Sequence, residues 1–366
     1  MRWVAIAAIA VCVAPPTARA DRLELHGRVF ARQTASRVDA TDGGAAPWRW
    51  DQDVASARFG VEYRAGRRVK LSLEVEFSDG DARPKDVWVR WRPVRAVAVQ
   101  AGRFKRPISA VQLAGLWDLP VVERGLLGDL EVSGVRLPVG GRGDGIRVAW
   151  TSAVMPVGVE VAAFAPDVSV APDASRHVPV DPWARVEWRV ARGVTWGTSF
   201  GLAAFYDKPD RAVNYRHAPV AGVDLAVERG LVRAWVDAIA GIDPLPFALD
   251  VATIDLPCAM GGDGSATCPP VELIADRGVF AAVRAVAGAR VDPGRGVRAV
   301  MPFVSATGVD LNTRFADDEV GQVGGGVAVE LGRHLRWQVH AEWTVAAARA
   351  PVRDAVRAMV QLGAAF

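Results

Sequence analysis

Along much of the chain, apolar and polar residues alternate one by one. From His334 to Val345, Leu335, Trp337, Val339, Ala341, Trp343 and Val345 fall on one face, and His334, Arg336, Gln338, His340, Glu342 and Thr344 fall on the other. A period of two belongs to a β-strand, whose side chains point alternately to opposite faces. The same pattern sets Val69, Leu71, Leu73, Val75 and Phe77 against Lys70, Ser72, Glu74 and Glu76. It recurs in Ala57–Tyr63 and in Ala184–Val190. Strands are expected near residues 23–34, 53–64, 68–78, 84–92, 94–104, 142–152, 155–165, 182–191, 194–206, 219–229, 231–241, 277–290, 295–307, 320–332, 334–346 and 356–366. That count is even, as bacterial membrane barrels require.

A soluble β-sandwich also alternates. Two features favour a transmembrane antiparallel β-barrel. The runs approach or exceed about ten residues, which suits a tilted membrane strand better than a sandwich strand. Tyr63, Trp91, Trp150 and Trp343 stand near an end of an apolar face, where the aromatic girdles of such barrels lie. About sixteen strands enclose an aqueous channel rather than a packed core. The last run ends on Phe366, which shares its face with Leu362, Val360, Ala358 and Val356, while Gln361, Met359 and Arg357 take the other. A closing strand ending in phenylalanine resembles the signal read by the outer-membrane barrel assembly machinery.

The first twenty residues set the expected compartment. Arg2 precedes an apolar run, Trp3–Val13, that is too short to span a bilayer, which takes roughly 20 apolar residues. Pro15-Pro16 and Ala18-Arg19-Ala20 follow. This is the layout of a secretory signal peptide cleaved after Ala20. Val11 is a poor neighbour for a lipid-anchored Cys12, and cleavage removes that cysteine. The reading is therefore a 1–20 signal peptide and a single 21–366 barrel domain in the bacterial outer membrane.

Composition adds less. The chain of 366 residues is 51% hydrophobic and 23% charged. Loss of Arg2 and Arg19 lowers the net charge from +3 to +1, so global charge names no partner, and nucleic acid is not expected. Cys258 and Cys268 flank a turn-rich segment with prolines on both sides. In an oxidising compartment this reads as a disulfide stapling a surface loop. A metal site there would lack a nearby histidine, and two free thiols would be unusual in an exported chain.

The most specific segment is Ala101-Gly102-Arg103-Phe104-Lys105-Arg106-Pro107, followed by Leu116-Trp117-Asp118-Leu119-Pro120 and by Glu123-Arg124. With Asp86–Trp91 before it and Arg142-Gly143-Asp144-Gly145-Ile146 after it, this stretch resembles the phosphate-selective porin O and P family. The resemblance covers roughly residues 85–150 by motif. It implies a sixteen-stranded trimeric porin whose long third loop folds inward and narrows the channel, with basic side chains passing anions. Carried across, Arg103, Lys105, Arg106 and Arg124 sit at or beside that loop. The chain departs from the family in lysine, present only at Lys70, Lys85, Lys105 and Lys208, so a lysine cluster is absent or replaced by arginine.

The strand phase puts Arg58, Arg90, Arg147, Arg185, Arg284, Arg336 and Arg357 on the inward face together with Glu62, Glu74, Glu76, Asp224 and Glu342. The wall is mixed, with basic groups modestly ahead. Charged rings in a water-filled bore select ions by sign, and the arginine fork suits oxyanions. Each of these side chains also fits a plainer role, as a solvated residue or half of a cross-strand ion pair. The anion pathway is assigned to Arg90, Arg103, Lys105, Arg106, Arg124 and Arg147.

Signals for catalysis are weak. Gly197-Thr198-Ser199-Phe200-Gly201 fits Gly-x-Ser-x-Gly, but that motif marks a nucleophile only at a strand-to-helix turn, and this one lies inside a strand. There is no phosphate-binding loop ending in Lys-Ser/Thr and no His-Glu-x-x-His, so no cofactor, metal or enzymatic activity is expected. The leading reading is a passive outer-membrane porin for small anions, with phosphate or another oxyanion as solute. It would sit in outer-membrane lipid as a homotrimer. The alternatives are a non-transporting structural or adhesive barrel, and a barrel hydrolase using Ser199.

Overall fold

The computed structural model describes residues 22–38, 47–78, 81–124, 131–132, 135–136, 141–165, 180–206, 215–242, 259–260, 266–267, 279–294, 296–310, 313, 317, 319–347 and 354–366. The expected signal peptide and the Cys258–Cys268 pair lie outside them.

Sixteen antiparallel strands close into one barrel. They are β1 (Arg22–Val38), β2 (Arg49–Ala65), β3 (Val69–Ser78), β4 (Asp81–Val94), β5 (Val97–Lys105), β6 (Arg142–Thr151), β7 (Val157–Phe164) and β8 (Asp181–Ala191). The second half comprises β9 (Val194–Tyr206), β10 (Tyr215–Arg229), β11 (Val232–Ile242), β12 (Val279–Ala289), β13 (Val297–Asp310), β14 (Val320–Leu331), β15 (Leu335–Ala346) and β16 (Ala355–Ala365). Each strand pairs with its neighbours in sequence, and β16 returns to β1 from Arg28↔Ala365 to Val38↔Ala355. Closure leaves no open edge, which a lipid environment demands. All sixteen expected strands are present.

Strand alternation sorts the side chains. Leu73, Trp91, Val161, Trp188, Val283, Val304 and Trp343 point outward and are exposed. Arg185, Asp224, Asp237, Arg284, Arg336 and Gln338 point inward and are buried. An apolar exterior over a polar interior is the reverse of a water-soluble domain, and it is what hydrocarbon outside and water inside require. The anticipated aromatics Trp91, Trp150 and Trp343 are on the outer face, where Trp188, Trp196 and Trp337 join them.

The first two strands run further than alternation predicted. β1 continues past its expected end at Thr34 through Ala35↔Trp50 and Ser36↔Arg49, and β2 starts at Arg49, ahead of its expected start at residue 53. Apart from Ala35↔Trp50, these residues are polar on both faces. The hydrophobic signal stops where the wall leaves lipid, whereas backbone pairing does not.

One end of the barrel carries short turns, such as Gly66–Arg68, Arg95–Ala96 and Arg192–Gly193. The other carries the remaining connections, most of them longer. The third of these joins β5 to β6 and contains a single helical turn, α1 (Ala110–Leu113).

Candidate functional site

The third loop starts at a built irregularity. Gly102 has φ +122°, and a Cβ there would overlap the Val87 carbonyl on β4; only glycine tolerates both conditions. Two residues on, Phe104 turns into the barrel and packs on Phe164, with ring centroids 4.9 Å apart. It joins an apolar cluster with Ile108, Trp183, Ile239 and Phe280. Arg106 lies 3.3 Å from Asp181 on β8, both buried. The Gly-x-Phe-Lys-x-Pro motif is thus a hinge that directs the chain inward.

From there the loop crosses the bore. It leaves β5 and is fastened to β11, β12, β15, β16 and β1, on the far side of the ring. Ser109 caps α1, accepting from the Gln112 amide at 3.3 Å, and its hydroxyl donates to Asp237 on β11. Asp237 also accepts from Arg284 Nε at 3.0 Å and Nη2 at 2.6 Å. Arg284 in turn donates to the Arg124 carbonyl at 2.9 Å. At the other end of α1, Lys105 Nζ donates to the carbonyls of Gln112, Leu113 and Ala114 at 2.8, 2.9 and 2.8 Å. Arg124 donates to Ala114 at 2.7 Å and to Val111 at 3.1 Å. Cations satisfy the carbonyls that a helix end leaves open.

The rest of the described loop lies on the wall. Val111, Leu119 and Val121 pack on Trp235, Val286 and Phe303. Arg336 donates to the carbonyls of Trp117 and Leu119. Gln338 Nε2 donates to those of Pro120 and Val121 at 2.8 and 3.1 Å. Glu123 closes the series between Arg32 on β1 and Arg357 on β16.

Elsewhere the wall is laced with ion pairs. Arg58 holds Glu74 at 3.0 Å and Glu76 at 2.6 Å. Arg185 binds Asp224 through two nitrogens at 2.6 and 2.9 Å and donates to Ser199 at 2.8 Å. Ser199 is therefore a buried acceptor in mid-strand. In the turn after β12, Arg290 meets Glu330 at 2.8 and 2.7 Å, and this hydrogen bonding raises its pKa above the ordinary arginine value.

The short-turn mouth differs. Arg64, Arg67, Arg68, Lys70, Arg90 and Arg92 line a recess of about 380 Å³. Glu62 accepts from Lys70 at 2.7 Å and lies 3.6 Å from Arg64. Arg67, Arg68, Arg90 and Arg92 form no ion pair among the described residues. Arg90 is held by neutral groups instead, namely Gln100 Oε1 at 2.9 and 2.7 Å and the face of Trp88 at 4.7 Å.

The six residues assigned to the anion pathway fall into two groups and one residue apart. Lys105, Arg106 and Arg124 hold the loop. Arg90 and Arg147 share Gln100 on the wall, with Arg147 also 2.9 Å from Glu160. Arg103 stands apart, 3.6 Å from Asp144. The candidate set omitted Ser109, Asp237 and Gln338, and it omitted Arg284 and Arg336 although their inward phase was readable. Arg67 and Arg68 were also absent from it, because turn residues carry no strand phase.

The sequence model of the phosphate-selective porin O and P family matches residues 35–182. No curated protein matches the chain. Among solved structures, the anion-selective porin from Comamonas acidovorans aligns with 11% identity over 95% of this chain and 100% of its own, with a TM-score of 0.64. The outer membrane channel DcaP of Acinetobacter baumannii aligns with 12% identity over 94% and 97%, TM-score 0.62. A trimer form of OmpT from Vibrio cholerae aligns with 11% identity over 95% and 100%, TM-score 0.54. At these identities the likeness is one of fold, and the fold is that of the porins.

Proposed function

We propose that this outer-membrane porin passes small anions by diffusion, with phosphate or another oxyanion as its solute class. The observation that carries the proposal is the short-turn mouth, where six basic side chains share one recess and, among the described residues, only Arg64 and Lys70 meet acids, Glu24 and Glu62. A mouth of one sign concentrates ions of the other and excludes its own. Arginine rather than lysine supplies the charge, and its planar fork binds oxyanions through two parallel hydrogen bonds.

In this reading Arg90 and Arg147 touch the solute on the wall, Lys105 and Arg124 add positive potential near the constriction that the loop creates, and Arg103 and Arg106, each beside a carboxylate, contribute least. The barrel spans residues 21–366 as one domain after removal of a 1–20 signal peptide. It is inserted by the barrel assembly machinery and assembles as a homotrimer, as the structurally similar OmpT does in its trimer form. Cys258 and Cys268 form a disulfide.

The test is the reversal potential of the refolded protein in a planar bilayer under a salt gradient. Anion selectivity, with chloride current reduced by added phosphate, is the expected result. Cation selectivity or no preference would remove the anion assignment. A folded barrel without conductance would point to a structural or adhesive role.

A further inference from the structure

The outer surface of the barrel carries its own charged feature at the short-turn end, separate from the bore. Trp188 on β8 and Trp196 on β9 are direct cross-strand partners. Both point outward, 51% and 44% exposed. Trp196 lies opposite Leu225 of β10, and the apolar surface continues to the exposed Leu231 and Val232.

Two arginines cap this surface. Arg192 is in the β8–β9 turn, and Arg229 ends β10. The amide of Glu228 donates to the Gly193 carbonyl at 2.6 Å, which draws that turn against the end of β10, so that Arg192 and Arg229 each stand one residue from this shared backbone hydrogen bond. Gly193, at φ +73°, permits the approach, because a side chain there would overlap the Glu228 carbonyl. Alternation along β10 puts Leu225, Val227 and Arg229 outside and Asp224 and Glu228 inside. The nearby carboxylate of Glu187 is engaged by Arg185. Arg192 and Arg229 are both exposed, and neither forms an ion pair among the described residues.

We infer that Trp188, Trp196, Arg192 and Arg229 form a binding site for the headgroup of an anionic phospholipid in the leaflet at the short-turn end, which in this barrel class is the periplasmic one. Tryptophan pairs settle at the boundary between hydrocarbon and headgroups. Guanidinium groups one turn beyond them reach the phosphate level, where basic side chains attract acidic lipid. A solute moving through the bore does not meet Arg229, which faces away from it.

The experiment is native mass spectrometry of the full-length porin released from micelles that contain equal amounts of phosphatidylglycerol and phosphatidylethanolamine. The wild type is expected to retain phosphatidylglycerol preferentially. Retention should fall about fivefold for each arginine removed in Arg192→Gln and Arg229→Gln, the effect of one basic residue at an acidic membrane surface. Arg67→Gln/Arg68→Gln, which alters the recess of the bore, should leave retention unchanged. Equal retention of the two lipids, or equal loss in both pairs of variants, would overturn the proposal. So would conversion of an oligomeric wild type to a monomer by Arg192→Gln/Arg229→Gln, since the patch would then be a protein contact. The reversal potential of that same variant is expected to match wild type, so the lipid site and the anion pathway fail independently.

Discussion

Two regions of the bore use the same residue type for different ends. Where the third loop meets the wall, each arginine has a carboxylate or a set of carbonyls: Arg106 with Asp181, Arg284 with Asp237, Arg336 with Trp117 and Leu119, and Arg357 with Glu123. At the short-turn mouth, Arg67, Arg68, Arg90 and Arg92 line the recess and form no ion pair among the described residues. A guanidinium paired with a carboxylate fastens the chain but adds little net potential, whereas one held only by neutral groups or by water keeps its full charge. Counting inward arginines therefore overstates the field near the loop and understates it at the mouth.

The largest effect should come from Asp237→Ala. It leaves Arg284 buried without its counter-charge and releases Ser109, at a cost of about 3–5 kcal/mol. Chemical denaturation in detergent should show that loss, and single-channel conductance should rise as the loop loosens. Unchanged values in both would end the contrast between the two regions. Arg336→Met comes next. The carbonyls of Trp117 and Leu119 lose their donor, for about 1–3 kcal/mol, and protease cleavage within the loop should become faster than in wild type.

Substitutions at the mouth should divide the other way. Arg90→Gln with Arg92→Gln is expected to shift stability by no more than about 1 kcal/mol, yet to lower the anion-to-cation permeability ratio. That effect should shrink in concentrated salt, because the screening length falls from about 10 Å at 0.1 M to about 3 Å at 1 M. A permeability ratio that ignored both residues would show that the recess does not govern selectivity. The smallest effect belongs to Arg103→Gln. A partly exposed pair with Asp144 is worth about 0–1 kcal/mol, so neither melting nor selectivity should move measurably.

Much of the barrel was legible because each strand carries its own period. Leu335–Val345 declares a strand and its two faces without reference to any other part of the chain. The ends of β1 and β2 were not legible, since polar pairs such as Ser36↔Arg49 continue a ladder that hydrophobicity no longer reports. The inward course of the third loop came from its likeness to a family rather than from any local pattern. Its fastenings could not be read at all. Gln338 and Pro120 are 218 residues apart, and Arg284 and Arg124 are 160 apart, separations over which alternation says nothing about contact. Alternation gave the inward phase of Arg284 and Arg336, but not that a loop segment rather than a solute would occupy their donors.

The position of Glu123 bears on how the molecule comes together. Its two partners, Arg32 and Arg357, stand on the first and last strands, which meet only when the cylinder shuts. The loop cannot complete its attachment before the seam forms, and once attached it braces that seam from within. Closure of the wall thereby supplies the last of the loop's fastenings, the others on β11, β12 and β15 being independent of the seam.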